Sequence, residues 1–110
     1  MLEHNCVFCA ISASLQSQSN LILEGKHTFV IPDIKPISKG HALVITKAHF
    51  QDLSSSPDEA LAEAIALAKE YSKTLKAQDA SIRGFNFVSN QGAKANQVVF
   101  HFHLHIIPRY

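Results

Sequence analysis

The stretch His101-Phe102-His103-Leu104-His105-Ile106-Ile107 decides how this chain is read, because imidazoles and large apolar side chains alternate along it. Side chains in a strand point alternately to opposite faces. His101, His103 and His105 therefore share one face at a spacing of about 6.6 Å, and Phe102, Leu104 and Ile106 share the other. Adjacent imidazoles disfavour one another's protonation, which predicts neutral rings near pH 7. Neutral imidazole is the form required of a nucleophile and of a metal ligand alike. Taken alone, the three histidines also fit the polar side of a half-buried strand, or a metal site of their own.

Working outward, residues 98–107 read as one long strand and residues 85–89 as a shorter one. Before them, residues 56–78 change to a helical period, with Leu61, Ala64, Ile65, Ala68 and Leu75 on one face. Ser56, Pro57 and Glu59 mark its start, as a Ser-x-x-Glu cap with proline at the first helical position. Three further strands are expected at residues 21–24, 27–31 and 41–46, separated by Gly25 and by the turn-forming run "PDIKPISKG". The polar residues 12–20 read as a loop. The pattern is α+β, with about five antiparallel strands and one long helix.

At 110 residues and 46% hydrophobic, residues 1–110 suit one domain with a real core. A formal charge of +1 gives no footprint for polyanionic nucleic acid, although a small anionic ligand fits. No apolar run reaches the roughly 18 residues of a membrane span, and "MLEHNC" lacks the layout of a signal peptide, so a cytoplasmic protein is expected. Cys6 and Cys9 are spaced poorly for a structural disulfide and well for a metal or a redox pair.

The run from His101 to Ile107 resembles the His-φ-His-φ-His-φ-φ signature of the histidine triad (HIT) superfamily, where φ is hydrophobic. "CVFCAI", "PDIKPISKGHALVITKAHF" and "NQGAKANQVVFHFHLHIIPRY" extend the likeness over nearly the whole chain, toward the branch that includes Hint-type nucleoside phosphoramidases. The resemblance implies a HIT-like fold with a short N-terminal helix. It also implies a hydrolase that splits purine nucleoside monophosphates from an amine or another phosphate through a nucleotidyl-histidine. A dinucleoside polyphosphate hydrolase and a non-catalytic nucleotide-binding module stand as alternatives.

By the same resemblance, His103 is the nucleophile and His105 a phosphate contact. Cys6, Cys9, His49 and His101 make a closed Cys₂His₂ set for a structural Zn²⁺. Asp33 addresses the ribose hydroxyls, with Ile34, Phe8 and Ile11 around the base, although an aspartate beside prolines is also an ordinary turn residue. His41, Asn90, Gln97 and Val98 line the phosphate pocket, and the molecule is a homodimer.

Two departures stand out. Asn96 and Val98 occupy places where relatives carry a glycine and a hydroxyl residue, which leaves main-chain amides and Gln97 as expected phosphate donors. The sequence also stops at Tyr110, where many relatives continue with a segment that shapes the leaving-group side, so discrimination by such a segment is expected to be missing.

Overall fold

Unbroken burial along the central strands reflects a sheet with two apolar faces, each covered by a different helix. The computed structural model describes residues 5–110. Helix α1 (Val7–Ala13) leads to β1 (Leu23–Glu24), β2 (Thr28–Pro32) and β3 (Ala42–Thr46); α2 (Asp58–Gln78), β4 (Gly84–Val88) and β5 (His103–Arg109) follow. The strands form one antiparallel sheet in the order β1-β2-β3-β5-β4.

Val30, Ala42, Val44, Phe102, Leu104 and Ile106 form one face, on which α2 lays Ala64, Ala68 and Tyr71. Phe29, Ile31, Leu43 and Ile45 form the other, closed by Phe8 and Leu15. Small residues on α2 let the helix sit close to the sheet, since alanines add little bulk at the contact. On the α1 side, β3 and β5 pair Ile45 with His103 and Leu43 with His105, which sets two imidazoles at the margin of an apolar layer.

Several expectations are corrected. The histidine-bearing strand starts at His103, and residues 98–102 are irregular, held by the Phe102 N–H donating to the Phe50 carbonyl at 2.6 Å. His101 therefore precedes the ladder, although Phe102 still joins the face of Leu104 and Ile106. The Ser-x-x-Glu cap does not form, because the Ser56 hydroxyl donates to the Asp52 carbonyl at 2.7 Å and Pro57 becomes the cap residue without a side-chain bond. Ile65 is 62% exposed, and Tyr71 takes the buried place on α2. The polar stretch 12–20 is not all loop: α1 runs to Ala13, and a short 3-10 turn at Leu15–Ser17 buries Leu15.

One carboxylate ties α2 to the sheet. Glu63 accepts from the amides of Lys26, His27 and Thr28 at 2.7–2.9 Å and from the Thr28 hydroxyl. Gly25 is required beside it, since a Cβ there would collide with the Glu63 carboxylate. Burial opposes ionisation of Glu63, but the hydrogen bonds from Thr28, His27 and Lys26 prevail and hold its pKa below the ordinary value. Glu63→Gln should cost about 2 kcal/mol at pH 7 in urea unfolding. A depressed folded pKa contributes stability above the unfolded value and loses it as pH falls through the folded one. The difference between wild type and variant should therefore shrink toward pH 3, and an equal gap at both pH values would refute this role.

Candidate functional site and metal centre

His103 opens β5, and its orientation is fixed by main chain. Its Nδ1 lies 2.8 Å from the His101 carbonyl oxygen, which can only accept, so Nδ1 carries the proton and Nε2 keeps the lone pair. The Ser89 hydroxyl, just past β4, donates to the His103 carbonyl at 2.8 Å. Phe8 stands edge-on against the ring at 5.0 Å between centroids. Burial lowers the His103 pKa, while its bond to the His101 carbonyl and the charge of Asp33 oppose the shift.

A second hydrogen-bond chain sets His105. The Ile37 amide donates to His41 Nδ1 at 3.0 Å, so the proton of a neutral His41 sits on Nε2. That nitrogen is 2.9 Å from His105 Nδ1 and 3.3 Å from Asp33 Oδ2. His105 thus accepts at Nδ1 and carries its own proton on Nε2. Burial is the leading cause of the lowered pKa in both rings; at His105 the neighbouring His103 and His41 add to it, and Asp33 opposes. The expected neutrality of the histidines therefore comes first from desolvation and only second from mutual repulsion.

Asp33, His41 and His105 also lie close enough together to suggest a metal site. The Ile37 amide argues against it: with Nδ1 already accepting, His41 would have to lose its last ring proton to ligate through Nε2. Asp33 combines both readings of its sequence. Its Oδ1 accepts from the Lys35 amide at 2.8 Å, as a turn aspartate does, and its Oδ2 faces the histidines. The loop after it is clamped by Tyr71 and Ser38, whose hydroxyls donate to the Gly40 and Pro108 carbonyls at 2.7 and 2.6 Å. Gly40 has φ of 90° and packs against Leu75, so a side chain is excluded there twice over.

His101 belongs to a different cluster. Its Nε2 donates to the Thr46 carbonyl at 2.7 Å, which turns the Nδ1 lone pair to Cys6 Sγ at 3.3 Å and Cys9 Sγ at 3.4 Å. His49 Nδ1 is 3.2 Å from Cys9 Sγ, and the four donor atoms all lie within 4.8 Å of one another. Tetrahedral zinc, with bonds of about 2.3 Å to sulfur and 2.0–2.1 Å to nitrogen, would set sulfur–nitrogen edges near 3.5 Å. The donor set fits such an ion, and the Thr46 carbonyl supplies the outer partner that a ligating imidazole requires. Burial pushes the His101 pKa down to about 4, so its ring is neutral and able to ligate.

The remaining expected residues are placed unevenly. Phe8 is buried, Ile11 half-buried against the same cluster, and Ile34 89% exposed. Asn90 donates to the Asn96 carbonyl at 3.3 Å. Gln97 is corrected: its Oε1 accepts from the Gly92 amide and its Nε2 donates to the Gln51 and Val99 carbonyls, so the side chain braces a turn and offers no donor to a phosphate. Asn96 has φ of 69°, so it adopts the left-handed conformation that glycine would take and keeps the turn. Val98 is 85% exposed and lines a cleft with Cys6 and His49. Sequence reading missed Thr46, Ser89 and the Ile37 amide, because all three act through or upon main chain, which has no residue signature.

With this geometry in hand, comparison with known proteins is direct. The HIT domain matches residues 14–110. Adenosine 5'-monophosphoramidase HNT1 of Saccharomyces cerevisiae is 37% identical over 108 residues, covering 98% of this chain and 65% of that protein. The crystal structure of a HIT family protein from Bacillus anthracis superposes with a TM-score of 0.89 at 39% identity, over 97% of this chain and 74% of the other. A Zn-bound histidine triad family protein from Mycobacterium smegmatis gives 0.87 at 37% identity, over 96% and 76%.

Protein purified without added metal should carry one zinc per chain by elemental analysis, and a chelator should lower its melting temperature by about 10 °C or more. Near-zero zinc with unchanged melting would remove the metal from the account.

Proposed function

Because the chain belongs to the HIT domain family, we propose that it hydrolyses purine nucleoside monophosphates joined through the α-phosphate to an amine or another phosphate. The observation that carries this reading is the fixed tautomer of His103. With Nδ1–H bound to the His101 carbonyl, Nε2 is the basic nitrogen and is held without a solvated, freely rotating ring.

His103 Nε2 attacks the α-phosphorus, and the bond to the leaving group breaks as that group gains a proton. Water then attacks the nucleotidyl-His103 and releases the nucleotide with His103 restored. His105, protonated at Nε2 through the chain from His41, donates to a phosphoryl oxygen. Asp33 Oδ2 accepts from ribose hydroxyls, since one turn bond at Oδ1 does not exhaust a carboxylate's acceptor capacity. Ile34, Ile11 and Phe8 flank the base, and Phe8 also stands edge-on against His103. Cys6, Cys9, His49 and His101 hold a zinc ion whose contribution is structural, with its four positions filled.

The reading also includes a cytoplasmic homodimer. Support for the dimer is β4, an edge strand among the described residues, which carries Phe87 at 49% and Val88 at 37% exposure. An apolar edge of this kind invites pairing with a second copy. Light scattering at micromolar concentration should give twice the mass of one chain, and a clean monomer would reject the dimer.

Two variants test the chemistry. His103→Ala should lower kcat on adenosine phosphoramidate by about a thousandfold or more while nucleotide binding and zinc content persist. Asp33→Ala should weaken ribonucleotide binding much more than binding of the 2′-deoxy analogue. Wild-type turnover without the imidazole, or absence of an acid-labile nucleotidyl adduct on rapid quench, would overturn the mechanism. Turnover of diadenosine polyphosphates, measured alongside, ranks the two leaving-group classes.

A further inference from the structure

The four clustered donors are not equally reachable. Cys9 and His101 are 2% and 0% exposed, whereas Cys6 and His49 are partly exposed and line an open cleft with Val7, Gln51, Val98 and Phe100. Cys6 is therefore the more accessible cysteine of the pair and Cys9 the buried one. Both sulfurs approach the same ring nitrogen, His101 Nδ1, and the Cys9 amide donates to Cys6 Sγ at 3.4 Å. With all four donor atoms within 4.8 Å, a movement of less than about 3 Å brings the sulfurs to bonding distance.

The pair is also wired to the nucleophile. Phe8 lies between the two cysteines in the chain and packs edge-on against both His101 and His103, at 5.8 and 5.0 Å. The His101 carbonyl is the acceptor that fixes His103 Nδ1. Any change that frees the His101 ring or shifts the start of α1 therefore reaches His103 by two routes.

We propose that Cys6 and Cys9 form a thiol–disulfide switch that sets the orientation of His103, with a small disulfide as the oxidant and Cys6 as the attacking sulfur. The proposal rests on the metal reading of the cluster. Cys6 thiolate attacks one sulfur of the reagent, forming a mixed disulfide and releasing one thiolate. Cys9 thiolate then attacks Cys6 Sγ, expelling the second. The reagent's S–S bond takes up the two electrons that the protein sulfurs lose, and solvent protonates the released thiolates. A zinc ion held by the cluster would keep only His49 and His101 as ligands, and the His101 ring would lose both sulfur partners at Nδ1 while Thr46 still holds Nε2.

The test treats the full-length protein with oxidised glutathione. Wild type should lose both thiols to an internal Cys6–Cys9 disulfide, release zinc to a chromogenic chelator in step, and shift the ring-nitrogen resonances of His103. Cys9→Ser should accumulate a glutathione adduct on Cys6. Cys6→Ser should react at least about tenfold more slowly. If either variant fails to fold, acid quench and peptide mapping of wild type should find the first adduct on Cys6. Three results overturn the proposal: first attack at Cys9, a disulfide that leaves the His103 resonances unmoved, or thiols that stay reduced. Zinc content of untreated protein judges the metal reading separately, and the nucleotidyl adduct judges the enzymatic one.

Discussion

One buried residue, His101, joins the two halves of the site. Its ring is fully enclosed, and an enclosed imidazole is tolerable only when both nitrogens have partners. The Thr46 carbonyl takes Nε2–H and the two sulfurs face Nδ1. Its main-chain carbonyl, pointing the other way, takes the proton of His103. The tautomer of His103 is therefore a consequence of where His101 sits, and Thr46, Cys6 and Cys9 hold that position.

The sheet explains why such a fastening is needed. A 21-residue helix covers one face by itself, whereas α1 has only seven residues to offer the other. A helix that short is marginal in isolation, so its place must come from tertiary anchors. Phe8 and the Cys6–Cys9 pair are those anchors. On this second face His103 and His105 pair with Ile45 and Leu43, and Asp33 and His41 lie against His105.

Much of this was legible in the sequence. Strict alternation after His101 separated the face of Leu104 and Ile106 from that of the imidazoles, because a period of two carries its information in residue type alone. Ala64 and Ala68 were readable on α2 because the helical period of about 3.6 also lies in residue type. What failed was competition between partners. Ser56 is a good cap in principle, but the Asp52 carbonyl claims its hydroxyl. Gln97 looks like a free amide until its contacts with Gly92, Gln51 and Val99 are counted. Leu15, set among serines and glutamines, gave no sign that its side chain closes the apolar layer under β2 and β3.

The two departures before the triad turn out to be unlike in kind. Asn96 changes the residue and keeps the backbone: asparagine is among the side chains that tolerate the left-handed region, and at φ of 69° it holds the turn a glycine would make. Val98 changes the chemistry, placing an apolar side chain, 85% exposed beside Cys6 and His49, where a hydroxyl is expected. The first substitution preserves the left-handed turn. The second removes a hydrogen-bonding group, and Gln97 cannot supply the loss because all its polar atoms are spent inside the protein. In the proposed reaction, charge on a phosphoryl oxygen would be met by main-chain amides and by the Nε2–H of His105. The hydrogen-bond chain from Ile37 through His41 would accordingly matter more than in a chain with a hydroxyl at position 98.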